Sequence, residues 1–250
     1  MNILGIKIDN ISKVQAQEKV KEFLIFDSKK QFKIFTPNPE FLVKADKDNY
    51  FKKVLNQGDL NLPDGRGLQL FSKGKLKAIA GSDFILDICE IASKLNKSIY
   101  LLGSGNEDTV KKAAKKLLEK IPNLKIVGFN PGPVLVESKI KNYELQINEL
   151  ENNKIIEEIK KCNPAILFVG MGMGKQEKWI YENLNKIPSI KIAMGIGGTF
   201  DFLSEKITRA PKLIRIIWLE WLWRLILQPK RIKRIINATI VFPYLILKKK

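Results

Sequence analysis

Polar side chains stand at two places where an apolar run of the sequence ends. The first run, residues 31–36, leads into TPNPEF, which carries Thr36 and Asn38. The second, residues 60–62, leads into PDGRG, which carries Asp64. If both runs are neighbouring parallel strands, their carboxyl ends open into one crevice, where open α/β sheets bind ligands. The sequence then predicts a cleft with two neutral hydrogen-bonding groups beside one carboxylate.

Ordinary turn chemistry is the second interpretation of the same residues. Asn-Pro and Pro-Asp-Gly sequences form turns, and an Asn or Asp before a helix commonly caps it. Gly65 and Gly67 would leave the backbone open to a ligand, but a turn also uses glycine. The residues by themselves leave both interpretations open.

The composition limits the chemistry that is available. The 250 residues include no histidine, so acid–base work near neutral pH falls to a carboxylate, Lys, Tyr or Cys. Cys89 and Cys162 lie in predicted helices without a close-spaced partner, which favours a reducing compartment and argues against a structural zinc site. With 45% hydrophobic and 28% charged residues, the chain is expected to be globular.

Strands and helices alternate from residue 30 to 195. The predicted strands are 2–8, 31–36, 60–62, 98–102, 123–129, 165–170 and 191–194. The predicted helices are 12–26, 40–57, 67–72, 82–95 with a cap at Ser82, and an exposed, highly charged 139–161; residues 130–136 are predicted as a loop. This alternation indicates an α/β fold with an open, mostly parallel sheet and helices on both faces.

Glycine-rich turns follow three of these strands. The first contains Gly103 and Gly105, the second contains Gly172 and leads to Gln176, and the third leads to Asp201. A strand, a glycine-rich turn and a helix together place phosphates at a helix N-terminus. The glycines do not complete a GxGxxG motif, so they support a dinucleotide only weakly.

Residues 206–250 differ from the rest of the chain in charge and composition. They hold 12 Lys and Arg against one acid, Glu220, which is a net +11 of the chain's +18. The apolar stretch 213–227 contains three tryptophans, and a basic cluster with Lys230 and Arg231 follows it. We therefore predict an α/β domain over residues 1–205 and a basic, Trp-rich helical appendage over residues 206–250.

The appendage has the composition of an interfacial membrane anchor. Basic, Trp-rich segments that are too short to span bind at the headgroup level, and each Lys or Arg near an anionic leaflet adds about 1 kcal/mol. A helix pair docked in a dimer core is the competing interpretation, although a core would not need so many cations. Nucleic acid is disfavoured because the charges are mixed with bulky aliphatics. Without a signal-peptide pattern or a spanning run, we expect a cytoplasmic protein, peripheral on the inner face of the cell membrane.

Seven motifs, in this order and spacing, resemble the WecG/TagA/CpsF glycosyltransferase family. They are TPNPEFLVKA at 36–45, LPDGRG at 62–67, GSDF at 81–84, YLLGSG at 100–105, FVGMGMGKQEKWI at 168–180, GIGGTFDFLSEKITRAP at 195–211 and LEWLWRL at 219–225. The resemblance implies a Rossmann-like fold. It also implies inverting transfer of an N-acetylmannosamine-type sugar from a UDP-sugar to undecaprenyl-diphosphate-linked N-acetylglucosamine in teichoic acid-like polysaccharide synthesis. No cofactor or metal is implied.

The resemblance also implies roles for single residues. Asp64 matches the general base, although an exposed Asp, with a pKa near 3.9, is a weak one. Thr36 and Asn38 match the polar residues beside it. Gln176 and Asp201 match residues that line the nucleotide-sugar pocket. The leaving diphosphate needs positive charge, and without a metal we assign this to the helix starts at Gly103 and Gly172 and to the tail cations Arg224 and Arg231, with Lys230 for diphosphate or membrane.

Three positions depart from the family pattern. Ala78, next to Lys77, stands where an arginine is usual, Gly174 where a proline is usual, and Glu205 where a glycine is usual. The arginine matters most because it would bind diphosphate. Its absence keeps a second hypothesis open, a non-catalytic membrane-bound protein that binds nucleotide-sugars.

Overall fold

The computed structural model describes residues 1–26, 30–133, 135–137, 145–211, 213–214 and 219–248, and in these residues six strands form one parallel sheet. In chain order the strands are β1 (Asn2–Ile3), β2 (Ile6–Lys7), β3 (Phe32–Phe35), β4 (Leu60–Asn61), β5 (Ser98–Gly103), β6 (Lys125–Asn130), β7 (Leu135–Glu137), β8 (Leu145–Ile147), β9 (Ile166–Gly170) and β10 (Ile192–Gly195). The parallel sheet has the order β4-β3-β10-β9-β5-β6, while β1 pairs with β2 and β7 with β8 in antiparallel hairpins.

Helices occupy most of the connections. They are α1 (Lys13–Ile25), α2 (Pro39–Lys47), α3 (Asn49–Asn56), α4 (Arg66–Phe71), α5 (Gly81–Lys94), α6 (Glu107–Lys120), α7 (Glu149–Cys162), α8 (Lys175–Asn183), α9 (Thr199–Leu203), α10 (Glu220–Leu227), α11 (Ile232–Ile236) and α12 (Phe242–Lys248). Short 3-10 turns cover Leu184–Lys186 and Pro229–Arg231, and a π-helical turn covers Asn237–Val241.

The sheet separates two hydrophobic cores. Along β5, Tyr100 and Leu102 belong to one core, whereas Ile99 and Leu101 belong to the other, because successive strand side chains point to opposite faces. Helices α2, α3, α7 and α8 cover the first face, and α1, α5 and α6 cover the second. The predicted α/β class, with a parallel sheet between helical layers and a helical C-terminal region, is confirmed.

The helix predicted over residues 40–57 is wrong, because it breaks at Asp48. One carboxylate oxygen of Asp48 accepts the Phe51 N–H at 2.8 Å and so caps α3. The other oxygen accepts from Lys178 Nζ at 2.7 Å, with both side chains fully buried. The apolar pattern runs on through this break, and for that reason it predicted one helix instead of two.

Other boundaries differ where a turn or a cap decides them. The strand predicted over residues 2–8 is a hairpin that turns at Leu4 and Gly5, both with positive φ. Helix α5 begins at Gly81, so Ser82 lies inside the helix and does not cap it. The loop predicted over residues 130–136 overlaps the first two residues of β7. The helix predicted over 139–161 covers only Glu149–Cys162, because β8 precedes it and residues 138–144 lie outside the described part. That helix also buries Ile155 and Ile159, so it is not an exposed element.

The last part of the chain packs against α2. Phe242 is fully buried in the first core and meets the ring of Phe71 edge-on, with 5.2 Å between ring centres. The π-helical turn Asn237–Val241 also packs on α2. Within the described residues, no helix has both the length and the apolarity that a membrane crossing requires. The domain boundary at residue 205 stays a prediction.

Candidate functional site

The predicted cleft lies where β3 and β4 end. The two strands pair in parallel, with Ile34 opposite Leu60 and Phe35 opposite Asn61, so their carboxyl ends lie side by side. Beyond the pairing, the Asp64 N–H donates to the Pro37 carbonyl at 2.9 Å and ties the two segments together. The sequence prediction that both apolar runs are neighbouring parallel strands is therefore confirmed.

The first turn of α5 closes one side of this cleft. The Gly81 N–H donates to the Asp64 carboxylate. A Cβ at Gly81 would lie 3.0 Å from the buried Thr36 side chain, so a larger residue would have to move the two apart by a few tenths of an ångström. Ile79 N–H also donates to the Pro63 carbonyl at 2.8 Å. These contacts fix Thr36, Asp64 and the helix start as one unit.

The environment of Asp64 changes its acidity. Burial raises the pKa of Asp64 to about 7, and the charges of Glu220 and Asp83 act in the same direction. The positive charge of Arg224 and the Gly81 N–H oppose this rise in pKa. The expectation of an exposed, weakly basic Asp is wrong, because the carboxyl group is mostly enclosed. A pKa in this range makes Asp64 a stronger base than an exposed Asp.

Arg224 of the tail lies close enough to Asp64 for its charge to act on the carboxylate, and Arg231 and Arg234 lie near Arg224. Arg224, on α10, stacks over the Phe202 ring at 4.2 Å. Burial lowers the pKa of Arg224, while the nearby Glu220 and Asp64 charges raise it. Burial and the charges of Arg234 and Arg224 lower the pKa of Arg231 to about 10. Several cations held this close together form a site for an anion.

Glu40 holds the far end of this arginine group. Its carboxylate accepts hydrogen bonds from Arg234 Nε at 2.9 and 3.0 Å and from Arg234 Nη2 at 2.6 Å. The Glu40 residue is 8% exposed, so this bidentate pair is partly shielded from water. Glu40 belongs to the TPNPEF motif, but sequence reasoning gave it no role. The partners are 194 residues apart, and no sequence spacing connects them.

The glycine-rich turns after β9 and β10 are joined by a buried hydrogen-bond chain. Gln176 Oε1 accepts the Gly197 N–H at 2.9 Å, and Gln176 Nε2 donates to Glu177 at 2.6 Å. Glu177 in turn accepts the Gly174 N–H at 2.7 Å, and burial raises the pKa of Glu177 to about 7. Gln176 therefore links the two turns and is 1% exposed. Its role in the sugar pocket stays a prediction.

The remaining predicted residues lie around the same edge of the sheet. Asn38 caps α2 by accepting the Phe41 N–H at 3.2 Å, as the turn interpretation expects. Gly103 is buried against the Gly170 backbone, whereas the open space around Gly172 and its φ of 84° leave that turn accessible. Asp201, on α9, pairs with Lys206 at 3.8 Å.

Lys230, the position of Ala78 and the search for a metal site complete the predictions about the site. Lys230 is exposed on the turn Pro229–Arg231, next to the arginine group. Ala78 is half-buried in the segment that leads to α5, and Lys77 beside it is exposed. In the part of the chain that the structure describes, no three His, Cys, Asp or Glu side chains are grouped so that they could hold a metal ion.

Comparison with known proteins places the chain among glycosyltransferases. Residues 1–250 match the family model described as "Glycosyl transferase WecG/TagA/CpsF family". A Bacillus subtilis (strain 168) protein named N-acetylglucosaminyldiphosphoundecaprenol N-acetyl-beta-D-mannosaminyltransferase is 33% identical over 208 residues, which are 82% of this chain and 75% of that protein. A Staphylococcus aureus (strain NCTC 8325 / PS 47) protein of the same name is 30% identical over 254 residues, covering 100% of this chain and 93% of that protein.

The parallel sheet, with polar and charged side chains at its strand ends, defines an α/β protein of the class that binds ligands at this edge of the sheet. The chain belongs to the WecG/TagA/CpsF family of glycosyltransferases. The resemblance drawn from its motifs is thus confirmed.

Proposed function

We propose that this chain is an inverting glycosyltransferase that uses a UDP-sugar. The sugar is of the N-acetylmannosamine type, and the acceptor is N-acetylglucosamine linked to undecaprenyl diphosphate. The product would serve the synthesis of a cell-wall or surface polysaccharide such as teichoic acid. The names of the Bacillus and Staphylococcus relatives support this choice of acceptor and sugar. The single observation that carries the proposal is the position of Asp64 at the strand ends, within reach of the charge of Arg224 on the tail.

Asp64 acts as the general base in this mechanism. A hydroxyl oxygen of the acceptor sugar attacks the anomeric carbon of the donor, and its proton passes to the carboxylate. The bond from the anomeric carbon to the diphosphate oxygen breaks, and UDP leaves with the electron pair. A base works best when its pKa is close to the operating pH, and the pKa of Asp64 is about 7.

The leaving diphosphate needs positive charge, which the tail supplies. Arg224 and Arg231 lie in one group with Arg234, and mutual repulsion within this group is relieved when an anion binds. The N-terminus of α6 after Gly103, and the glycine-rich turn at Gly172 before α8, add backbone N–H donors. The tail arginines then take the place of the arginine that the family usually has at the position of Ala78, so no metal is needed.

The donor sugar and its nucleotide lie along the same edge of the sheet. Thr36 and Asn38 contact the sugar beside Asp64. Gln176 and Asp201 line the part of the site that binds the nucleotide. Gln176 acts there through the turn at Gly197, whose N–H donates to its side chain.

The appendage over residues 206–250 brings the site to the lipid. It carries a row of exposed apolar side chains, which are Leu213, Leu219, Trp221, Leu222, Ile226, Leu227, Ile232, Ile236, Ile240, Tyr244 and Leu247. Lys230 and other cations flank this row, as on a surface that binds an anionic membrane. The protein is then peripheral on the inner, cytoplasmic face of the cell membrane, and a homo-oligomer that covers the same row is the competing arrangement.

One experiment separates this activity from a nucleotide-sugar-binding protein that does no catalysis. Ala78 and Gly174 are the observations that favour the second function. The full chain is incubated with UDP-N-acetylmannosamine and a lipid-diphosphate N-acetylglucosamine acceptor, and UDP release is measured. Release that depends on the acceptor supports transfer. Binding of the donor without release supports the alternative.

A further inference from the structure

Arg209 connects the start of the tail to α5. Its Nη1 contacts Asp83 Oδ1 at 2.7 Å, and its Nη2 donates to Ser82 Oγ at 3.1 Å. Both partners lie in the first turn of α5, directly after Gly81, whose N–H holds Asp64. The Arg209 side chain is 25% exposed. Its guanidinium is therefore fixed to the first turn of α5, the turn that lies against the proposed base.

The same residue also faces α10. Its Nε lies 3.8 Å from Glu220 Oε1, in the first turn of that helix. Next to Arg209, the Thr208 carbonyl accepts the indole N–H of Trp223 at 3.1 Å. Segment 208–209 thus contacts α5 on one side and α10 on the other. Arg224 follows Trp223 directly, so whatever fixes α10 also fixes Arg224.

We propose that Arg209 is a positioning residue that sets the distance between Arg224 on the tail and Asp64 in the cleft. This inference rests on the proposed function. Arg209 does not need to touch substrate, because its fork is already engaged by Ser82 and Asp83. Without it, Asp83 and Glu220 would face each other as like charges near Asp64, and α10 would move away from α5.

The test combines one substitution with a charge exchange. Arg209→Gln should lower kcat on the lipid acceptor at least tenfold, with KM for the UDP-sugar changed less than threefold. Amide hydrogen exchange in residues 220–227 should become faster by a similar factor. The double variant Arg209→Asp with Asp83→Arg exchanges the two charges and so keeps an attraction between residues 83 and 209. It should recover part of the lost kcat and part of the lost protection of residues 220–227 from hydrogen exchange.

A matched control uses another long-range ion pair at the base of the tail. Lys116 and Glu205 are 3.2 Å apart, and the Glu205 side chain is 72% exposed. Glu205→Lys should change neither kcat nor the exchange of α10 by more than twofold. If Arg209→Gln does not fold, Asp83→Asn tests the same contact. The Asp83 side chain is 44% exposed, so this substitution should disturb folding less.

Two results overturn the proposal. One is unchanged exchange in α10 after Arg209→Gln or Asp83→Asn. The other is a charge exchange that restores slow hydrogen exchange in α10 but recovers no activity, since Arg209 would then act on substrate itself. Hydrogen exchange needs no substrate, so an inactive wild-type chain would contradict the proposed function and leave this test intact.

Discussion

Replacing Asp64 with Asn should abolish most activity and stabilise the protein above pH 7. Asn has nearly the same shape and can still accept the Gly81 N–H, so the change removes mainly the ionisation. Turnover should fall by on the order of 10²–10⁴, the usual contribution of a general base. The variant should be more stable than the wild type, because ionising a partly buried carboxylate costs free energy in the folded wild-type protein.

The size of the stability gain follows from the two pKa values of this carboxyl group. Its pKa is about 7 in the folded protein and about 3.9 in an unfolded chain. Between these values the folded state holds more protons, so wild-type stability falls as pH rises through this window. The full difference corresponds to about 4 kcal/mol, and partial solvent access reduces it to about 2 kcal/mol. Asp64→Asn should then raise Tm at pH 8 by about 4–8 °C, with a smaller gain towards pH 4.

Thermal unfolding followed by circular dichroism at pH 4.5 and pH 8 measures this gain, and UDP release measures turnover. Asp59→Asn is the matched control, from the residue just before β4. Burial alone would raise the pKa of Asp59, but hydrogen bonds from Lys30 and Lys33 lower it. The control variant should therefore lose stability at pH 8. An Asp64→Asn protein that is less stable than wild type at pH 8, or active within a few-fold of it, would refute the reasoning.

Three further predictions concern the charges and the tail. The Arg224 charge lowers the pKa of Asp64, so Arg224→Gln should move the acid limb of the pH profile of kcat/KM to higher pH. The Glu220 charge raises that pKa, so Glu220→Gln should move the acid limb to lower pH. An acid limb at the same pH in both variants would contradict this electrostatic role. EDTA should change the rate little, and a loss that magnesium or manganese restores would reveal a metal in the reaction. Replacing the exposed Trp221 and Leu222 with Ser should weaken flotation with anionic vesicles, as should high salt, whereas Phe26→Ser on the body should not. Equal flotation of all three proteins would remove the tail as the membrane contact.

The sequence predicted the cleft because local signals define it. An apolar run that ends in a polar residue marks the end of a buried strand, and parallel pairing brings such ends together. Thr36 and Asp64 were found in this way. The side-chain oxygen of Asn38 caps α2, so the turn interpretation was right for this atom.

Long-range ion pairs and hydrogen bonds could not be predicted in this way. Glu40 and Arg234 are 194 residues apart, and Arg209 and Ser82 are 127 apart, so no period or spacing joins them. The pKa of Asp64 was also missed, because it depends on enclosure by α5 and the tail rather than on its neighbours in sequence. The break at Asp48 was missed because a buried cap interrupts an apolar pattern that itself continues.

Acceptor-dependent release of UDP decides whether this chain transfers a sugar with Asp64 as the base. The full chain is mixed with UDP-N-acetylmannosamine and a short-chain lipid-diphosphate N-acetylglucosamine, with EDTA present, and compared with Asp64→Asn. We predict release that requires the acceptor, a disaccharide-lipid product with inverted anomeric configuration, and a loss of at least a hundredfold in the variant. Donor binding without any release, or equal release by wild type and variant, would contradict the account.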